Sequence, residues 1–343
     1  MREIRFGYCV PIFACPGAAL FRTPHYAALD TATTMRLARV ADGLGYDALW
    51  VADHLMLGRD HAILEGWTVL AALAGSTERA KLGMIHQAHP FRHPALSAKM
   101  AATLDQISGG RLIHFVDCGR RRDEYIAYGL PWDDDIDARI ARMVDGIAVT
   151  LALWTADGPV DYAGAYYRLE GAVCTPRPVQ RPHPPLWLGE GDPAILRACA
   201  HHAQGWNTVA VPLPELRRRV HALTVACAEI GRPVEEIEKS LETQVLVAPD
   251  ALALRRRLRE MVDLTPAAQR VEPDLRAFIR GETEQIPSSL TRTWLVGTPD
   301  SVERQLRAYV REGITHFMLW FIDVPRDDGM RLFAEQVIPR FRE

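Results

Sequence analysis

Lysine is nearly missing from this chain. Lys81, Lys99 and Lys239 are the only lysines among 40 basic residues, the rest being arginine. Set against 43 acidic residues they leave a formal net charge of −3. That balance excludes a global basic field for nucleic acid or an anionic membrane, and the arginine excess reads as codon bias. Cysteine is also sparse. Cys9, Cys15, Cys118, Cys174, Cys199 and Cys227 show no CxxC spacing, which excludes a zinc ribbon or a thioredoxin-type motif. Scattered thiols in a chain of this size suit a reducing compartment. No run reaches 18 apolar residues, so no membrane-spanning helix is expected. The start, Met1-Arg2-Glu3-Ile4-Arg5-Phe6, is too charged for a signal peptide and lacks a small-residue cleavage site. A cytoplasmic protein is expected.

What is present is an ordinary globular mixture, 48% apolar and 24% charged over 343 residues. Short apolar runs recur at Ile4–Val10, Ala48–Val51, Leu82–Ile85, Leu112–Val116, Pro185–Leu188, Trp206–Val211, Gln244–Val247 and Phe317–Ile322. Stretches with helical spacing lie between most of them, such as Thr33–Gly45, Pro94–Ile107, Ile136–Trp154 and Leu213–Ile230. Regular alternation of strand and helix means parallel strands with helical crossovers. Eight repeats predict an α/β fold, a single (β/α)8 TIM barrel with insertions at the βα loops. The alternative is an open doubly wound sheet, but the first strand runs into Val10-Pro11-Ile12-Phe13 with no GxGxxG. Two segments break the rhythm. Asp161–Leu169 reads as a small hairpin around Gly164, and 251–291 reads as a helical insertion or lid. Residues 1–343 form one domain.

In such a barrel the site lies at the carboxyl ends of the strands. Asp53 and His54 follow the second strand. His86, Gln87, Ala88, His89 and His93 follow the third, and Asp117 to Tyr125 the fourth. Gly189-Glu190-Gly191-Asp192-Pro193 follows the fifth, Trp206 belongs to the sixth, and the last carries Trp320. His54 is the candidate catalytic residue, since a strand-end imidazole can act as acid, base or donor near neutral pH. Its alternative is a histidine bonded to a backbone carbonyl. A metallohydrolase reading would gather His54, His86, His89 and Asp117, but the spacing is not that of a metal motif, and His93 before Pro94 reads as a helix entry. Asp192 and Pro193 read as N-cap and first helical residue, and the preceding glycines as either plain capping or a phosphate loop. Arg120-Arg121-Arg122 reads equally as a solvated loop or as an anion clamp.

The segments Gly45-Tyr46-Asp47-Ala48-Leu49-Trp50-Val51-Ala52-Asp53-His54, Arg92-His93-Pro94 with Lys99 to Asp105, Ile107-Ser108-Gly109-Gly110-Arg111-Leu112, Pro176 to Pro182 and Val296-Gly297-Thr298-Pro299 carry a resemblance. Together they resemble the bacterial luciferase-like family of flavin-dependent monooxygenases and deazaflavin-dependent oxidoreductases, over nearly the whole chain. The resemblance implies the barrel fold. It implies a reduced FMN at the strand ends, with the deazaflavin coenzyme F-420 as the alternative cofactor. His54 then matches an active-site histidine and Tyr125 a tyrosine near the cofactor phosphate. Gly189, Glu190 and Gly191 match a phosphate-side loop, and Gln87-Ala88 the place where the third strand kinks beside the ring. Asp117 and Gly119 border the cofactor, while Arg120, Trp206 and Trp320 wall the substrate pocket. Gly119-Arg120 departs from a Gly-Trp pair frequent in relatives, and the loop lacks their serine. A carboxylate at Asp117 beside an anionic ring requires a cationic partner, for which an arginine is at hand. The expected partners are a small organic substrate, a separate flavin reductase and a second copy of the chain, paired through Trp67–Ala74 and Pro94–Ile107. No metal is expected. A cofactor-free binding protein on the same barrel is the remaining alternative.

Overall fold

The computed structural model describes residues 3–15, 26–265 and 271–342. Among the described residues twelve strands are formed: β1 (Arg5–Cys9), β2 (Ala48–Ala52), β3 (Lys81–Ile85), β4 (Gln87–Ala88), β5 (Leu112–Asp117), β6 (Val160–Ala163), β7 (Arg168–Ala172), β8 (Leu186–Gly189), β9 (Gly205–Val209), β10 (Glu238–Val247), β11 (Leu295–Gly297) and β12 (His316–Phe321). Eight of them, β1-β2-β3-β5-β8-β9-β10-β12, pair in parallel, and β12 returns to β1. The expected closed barrel is therefore formed. All eight expected runs contribute one of its strands.

The barrel interior is filled by two tryptophans that glycines make room for. Trp50 from β2 and Trp187 from β8 lie with ring centroids 5.3 Å apart. A Cβ at Gly7 or Gly83 would fall 2.3 Å from the Trp50 ring, and one at Gly205 2.2 Å from Trp187. These strand glycines mark close approach of a side chain to the backbone. Below them His316 accepts from Trp50 Nε1 at 3.3 Å and meets Glu238 at 3.0 Å. Phe115 packs against both tryptophans from above and forms the base of the open end.

Local chemistry sets the helix ends. Asp192 accepts from the Ala194 N–H at 2.8 Å with Pro193 next in line, and His93 accepts from the Ala95 N–H at the start of Pro94–Ser108. Both match the sequence expectation. The hairpin is β6 and β7, pinned by the Asp145 carboxylate, which accepts from Tyr162, Tyr166 and Tyr167.

The 251–291 segment forms helices Ala251–Asp263, Pro273–Arg280 and Ser288–Thr291; its residues 266–270 lie outside the described residues. It shares a separate apolar cluster with the end of β10 and with Trp294. The following β11, not anticipated, pairs with Val245–Val247. None of the described residues of this segment lines the main cavity. Its first helix borders a second cavity of about 440 Å³ beside Asp323.

Candidate active site

A cavity of about 500 Å³ opens at the carboxyl ends of the strands. It receives residues from β1, β2, β3, β5, β8, β10 and β12 or the loops after them. His54 stands on its wall with 31% of the side chain exposed. Its Nδ1 lies 3.0 and 3.2 Å from the two oxygens of Glu124, whose side chain is fully buried. Glu124 also accepts from the Leu55 N–H at 3.2 Å and sits 3.3 Å from Arg121. A buried carboxylate on Nδ1 fixes the ring orientation and the tautomer, leaving Nε2 for chemistry in the cavity. Glu124 is not among the site residues expected from the sequence. An acid in the first turn of Arg122–Ala127, two strands from His54, was the available signal.

A second charged chain crosses the floor. His86 lies 4.7 Å above the Phe115 ring. Its Nδ1 is 3.9 Å from Asp117, and its Nε2 is 3.6 Å from Glu242 on β10. Burial pulls the His86 pKa down, but Glu242, Asp117 and Glu190 outweigh it and raise the value. Trp320 donates to Glu242 at 2.7 Å. Asp117 accepts from Arg120 Nε at 3.1 Å and from the Gly119 N–H at 2.7 Å. Burial favours its neutral form, yet Arg120 and His86 hold its pKa below the usual carboxylate value. The arginine partner that the sequence demanded for Asp117 is thus present. Glu242 was missed because its strand, recognised only from Gln244, begins at Glu238.

Two histidines of the third-strand segment are taken up by other partners. His89 is buried and bonded to the Tyr167 hydroxyl at 2.8 Å, and burial pushes its pKa down to about 4. His93 is spent on a helix cap. Among the described residues no three His, Cys, Asp or Glu side chains are grouped to hold an ion. Asp53 is a structural pin: it takes both terminal nitrogens of Arg92, at 2.8 and 3.1 Å, and the Ala88 N–H at 3.0 Å.

The sequence profile described as Luciferase-like monooxygenase matches residues 7–316. The chain belongs to this family. It is an oxidoreductase of the luciferase-like type. It is 27% identical over 316 residues to an F420-dependent glucose-6-phosphate dehydrogenase of Microbacterium testaceum (strain StLB037), covering 89% of this chain and 91% of that protein. An FMNH2-dependent dimethylsulfone monooxygenase of Pseudomonas putida is 25% identical, covering 100% of this chain and 96% of that one. In fold the chain is similar to an F420-dependent secondary alcohol dehydrogenase in complex with an F420-acetone adduct, with TM-score 0.77 and 22% identity over both whole chains.

Against this luciferase-like frame the expected cofactor residues divide. Ala88, Asp117, Gly119, Tyr125 and Glu190 line the cavity, as do His54, Arg120 and Trp320. Gln87 does not. Its amide donates to Ser97 Oγ at 2.6 Å, toward the helix behind the strand. Trp206 does not either; it is fully buried in the core between barrel and helices, its Nε1 donating to the Glu190 carbonyl at 3.0 Å. Alternation puts its neighbour Asn207 inward, bonded to Ser240 at 2.8 Å. Gly189 and Gly191 frame Glu190 without reaching the cavity surface. The strand-three break falls at the cis Ile85–His86 peptide, just before Gln87.

Several features fit a phosphate-bearing flavin. The Tyr125 hydroxyl is buried without a hydrogen-bond partner. A Cβ at Gly119, where φ is 84°, would lie 2.3 Å from it, so glycine keeps that approach open. Arg120 and Arg121 line the same cavity with 48% and 34% of their side chains exposed. Glu190 takes φ 81°, a costly conformation for a residue with a Cβ. It is held there by Arg219 at 3.1 Å, the Trp206 indole and the Asn207 carbonyl.

Proposed function

We propose that this protein is a monooxygenase that uses reduced FMN and dioxygen on a small organic substrate. The observation that carries the reading is the His54–Glu124 pair on the wall of a cavity that also holds the partnerless Tyr125 hydroxyl and the part-exposed Arg120 and Arg121. Arg120, Arg121 and the Tyr125 hydroxyl would hold the phosphate, with Ala88 and Gly119 leaving room for the ring. Reduced flavin, when bound, supplies the two electrons that dioxygen requires. The chain's own contribution is to bind, to dry the site and to move protons. Phe13, Leu57, Ile85, Phe91 and Trp320 give the cavity apolar walls that keep water out. His54, with Nδ1 committed to Glu124, exchanges a proton through Nε2.

Hydride transfer with coenzyme F-420 is the second reading, and the dehydrogenase relatives support it. The FMNH2-dependent monooxygenase relative, matched over 100% of this chain, supports the FMN reading. We further propose a homodimer. Helices Gly66–Ala74 and Pro94–Ser108 border an apolar groove with Trp67, Ala71, Met100, Leu104 and Ile107. Ile107 is 57% exposed there, and such patches mark partners. A separate reductase would deliver the reduced flavin. No described helix is long and apolar enough to cross a membrane, and sparse, scattered cysteines suit the cytoplasm.

The test is an oxygen pulse. Protein is mixed anaerobically with reduced FMN and exposed to dioxygen, and flavin reoxidation and peroxide are followed. The proposal expects a protein-dependent oxidation phase with delayed peroxide release, and no such phase with the reduced deazaflavin. Reoxidation identical with and without protein would refute it.

A further inference from the structure

The floor of the cavity holds a titratable group that the proposed mechanism leaves unused. His86 leaves β3 and reaches across the barrel mouth to Glu242 on β10, resting on Phe115. It keeps 17% of its side chain accessible, and it lines the cavity. Every element around it presents charge. Glu242 faces it from β10 and Asp117 from β5, with Arg120 beyond Asp117. Glu190 comes from the end of β8, backed by Arg219. The His54–Glu124 pair, with Arg121, occupies another part of the same cavity. Three carboxylates thus surround one imidazole, while the arginines sit one step further out.

That arrangement does more than fill space. A histidine serving only as packing would gain nothing from carboxylates on two strands, each of which is costly to bury. Facing them, the cationic form of the imidazole is favoured, in keeping with the raised pKa of His86. Glu242 is fixed in turn by the Trp320 indole, and Asp117 by Arg120 and the Gly119 N–H. The imidazole therefore has a fixed position with its cationic form favoured, and a positioned, protonated imidazole can act as a general acid.

We infer that His86 is a second catalytic residue of this site, the general acid that protonates an oxygen of the reacting substrate from the cavity floor, with Glu242 and Asp117 as its positioning residues. The inference rests on the oxidoreductase reading above. In the step, an imidazolium N–H bond breaks as the O–H bond forms on the oxyanion. The imidazole is left neutral, and a solvent proton restores it. His54 works separately, so the site has two proton-transfer groups with different partners.

Two measurements test this. In the unliganded protein, the His86 ring is titrated by NMR in wild type and in Glu242→Gln. The expected midpoint lies above that of free histidine in wild type and moves to lower pH in Glu242→Gln. In turnover, the acid must be protonated, so activity falls as pH rises through its pKa. His86→Gln is expected to lower kcat at least about 100-fold and to remove that alkaline limb. Glu242→Gln is expected to shift the limb to lower pH, and His54→Gln to lower kcat while leaving the limb in place. A midpoint that Glu242→Gln does not move, or a His86→Gln enzyme within threefold of wild type, would make His86 a buried ion-pair residue and overturn the inference. Failure of reduced FMN to bind, with the NMR titration as expected, would refute the cofactor reading and leave His86 standing.

Discussion

Replacing Glu124 by glutamine should slow turnover far more than it weakens the fold. The carboxylate is fully buried and accepts from His54 and the Leu55 N–H. Glutamine keeps the shape and one acceptor oxygen but loses the charge that holds the imidazole. A hydrogen bond to a charged group contributes about 1.5–3 kcal/mol. At about 1.36 kcal/mol per factor of ten, kcat should fall about ten- to two-hundredfold if that bond is worth most in the transition state. Arg121, the other partner of Glu124, is 34% exposed and stays hydrated when the carboxylate goes. The stability loss should therefore stay near about 1 kcal/mol, a Tm shift of only about 2 °C at this chain length. The assay is kcat and Tm on one preparation, with His54→Gln and the double variant alongside. If the two residues act as a unit, the double variant is no slower than His54→Gln alone, within about threefold. Fully multiplicative losses, or a Glu124→Gln enzyme within threefold of wild type, would refute the pairing.

Other outcomes follow from the packing and the ionisation. Trp206→Ala should cost about 3–5 kcal/mol by leaving a core cavity, seen as a lower denaturant midpoint. Gly83→Ala should destabilise by about 1–3 kcal/mol or more, since the new methyl would meet the Trp50 ring; urea unfolding checks it. Burial raises the Asp323 pKa to about 6 against an ordinary 3.8, a backbone hydrogen bond from Gly329 opposing it. The folded state then binds the proton more tightly than the unfolded one, so this group's contribution to stability falls as pH rises from about 4 to about 6. Asp323→Asn should therefore melt higher than wild type at pH 7, by at most about 3 kcal/mol, and the advantage should vanish below pH 4. Light scattering should report a dimer, and Ile107→Glu should shift it toward monomer.

Much of the fold was legible because barrel strands are short apolar runs separated by capped helices. The Asp192-Pro193 entry and the His93 cap were readable from residue type alone. The polar half of β10 was not, because Lys239, Ser240, Glu242 and Thr243 look like loop residues until the barrel buries them. Orientation was the other limit. Gln87 and Trp206 stand where expected along the chain but point away from the cavity, since a strand end does not declare which parity faces inward. His54 was identified, yet its partner Glu124 lies 70 residues on, a distance that only the closed barrel removes.

The central claim is that the cavity around His54 binds a reduced flavin through Tyr125 and the neighbouring arginines. Anaerobic titration with reduced FMN and with the reduced deazaflavin, followed by absorbance, tests it most directly. Saturable binding of one reduced FMN per chain is expected, weakened at least about tenfold by Arg120→Ala with Tyr125→Phe and unaffected by Gln87→Ala. Binding of the deazaflavin alone, of neither cofactor, or of FMN with no response to the Arg120 and Tyr125 changes would contradict it.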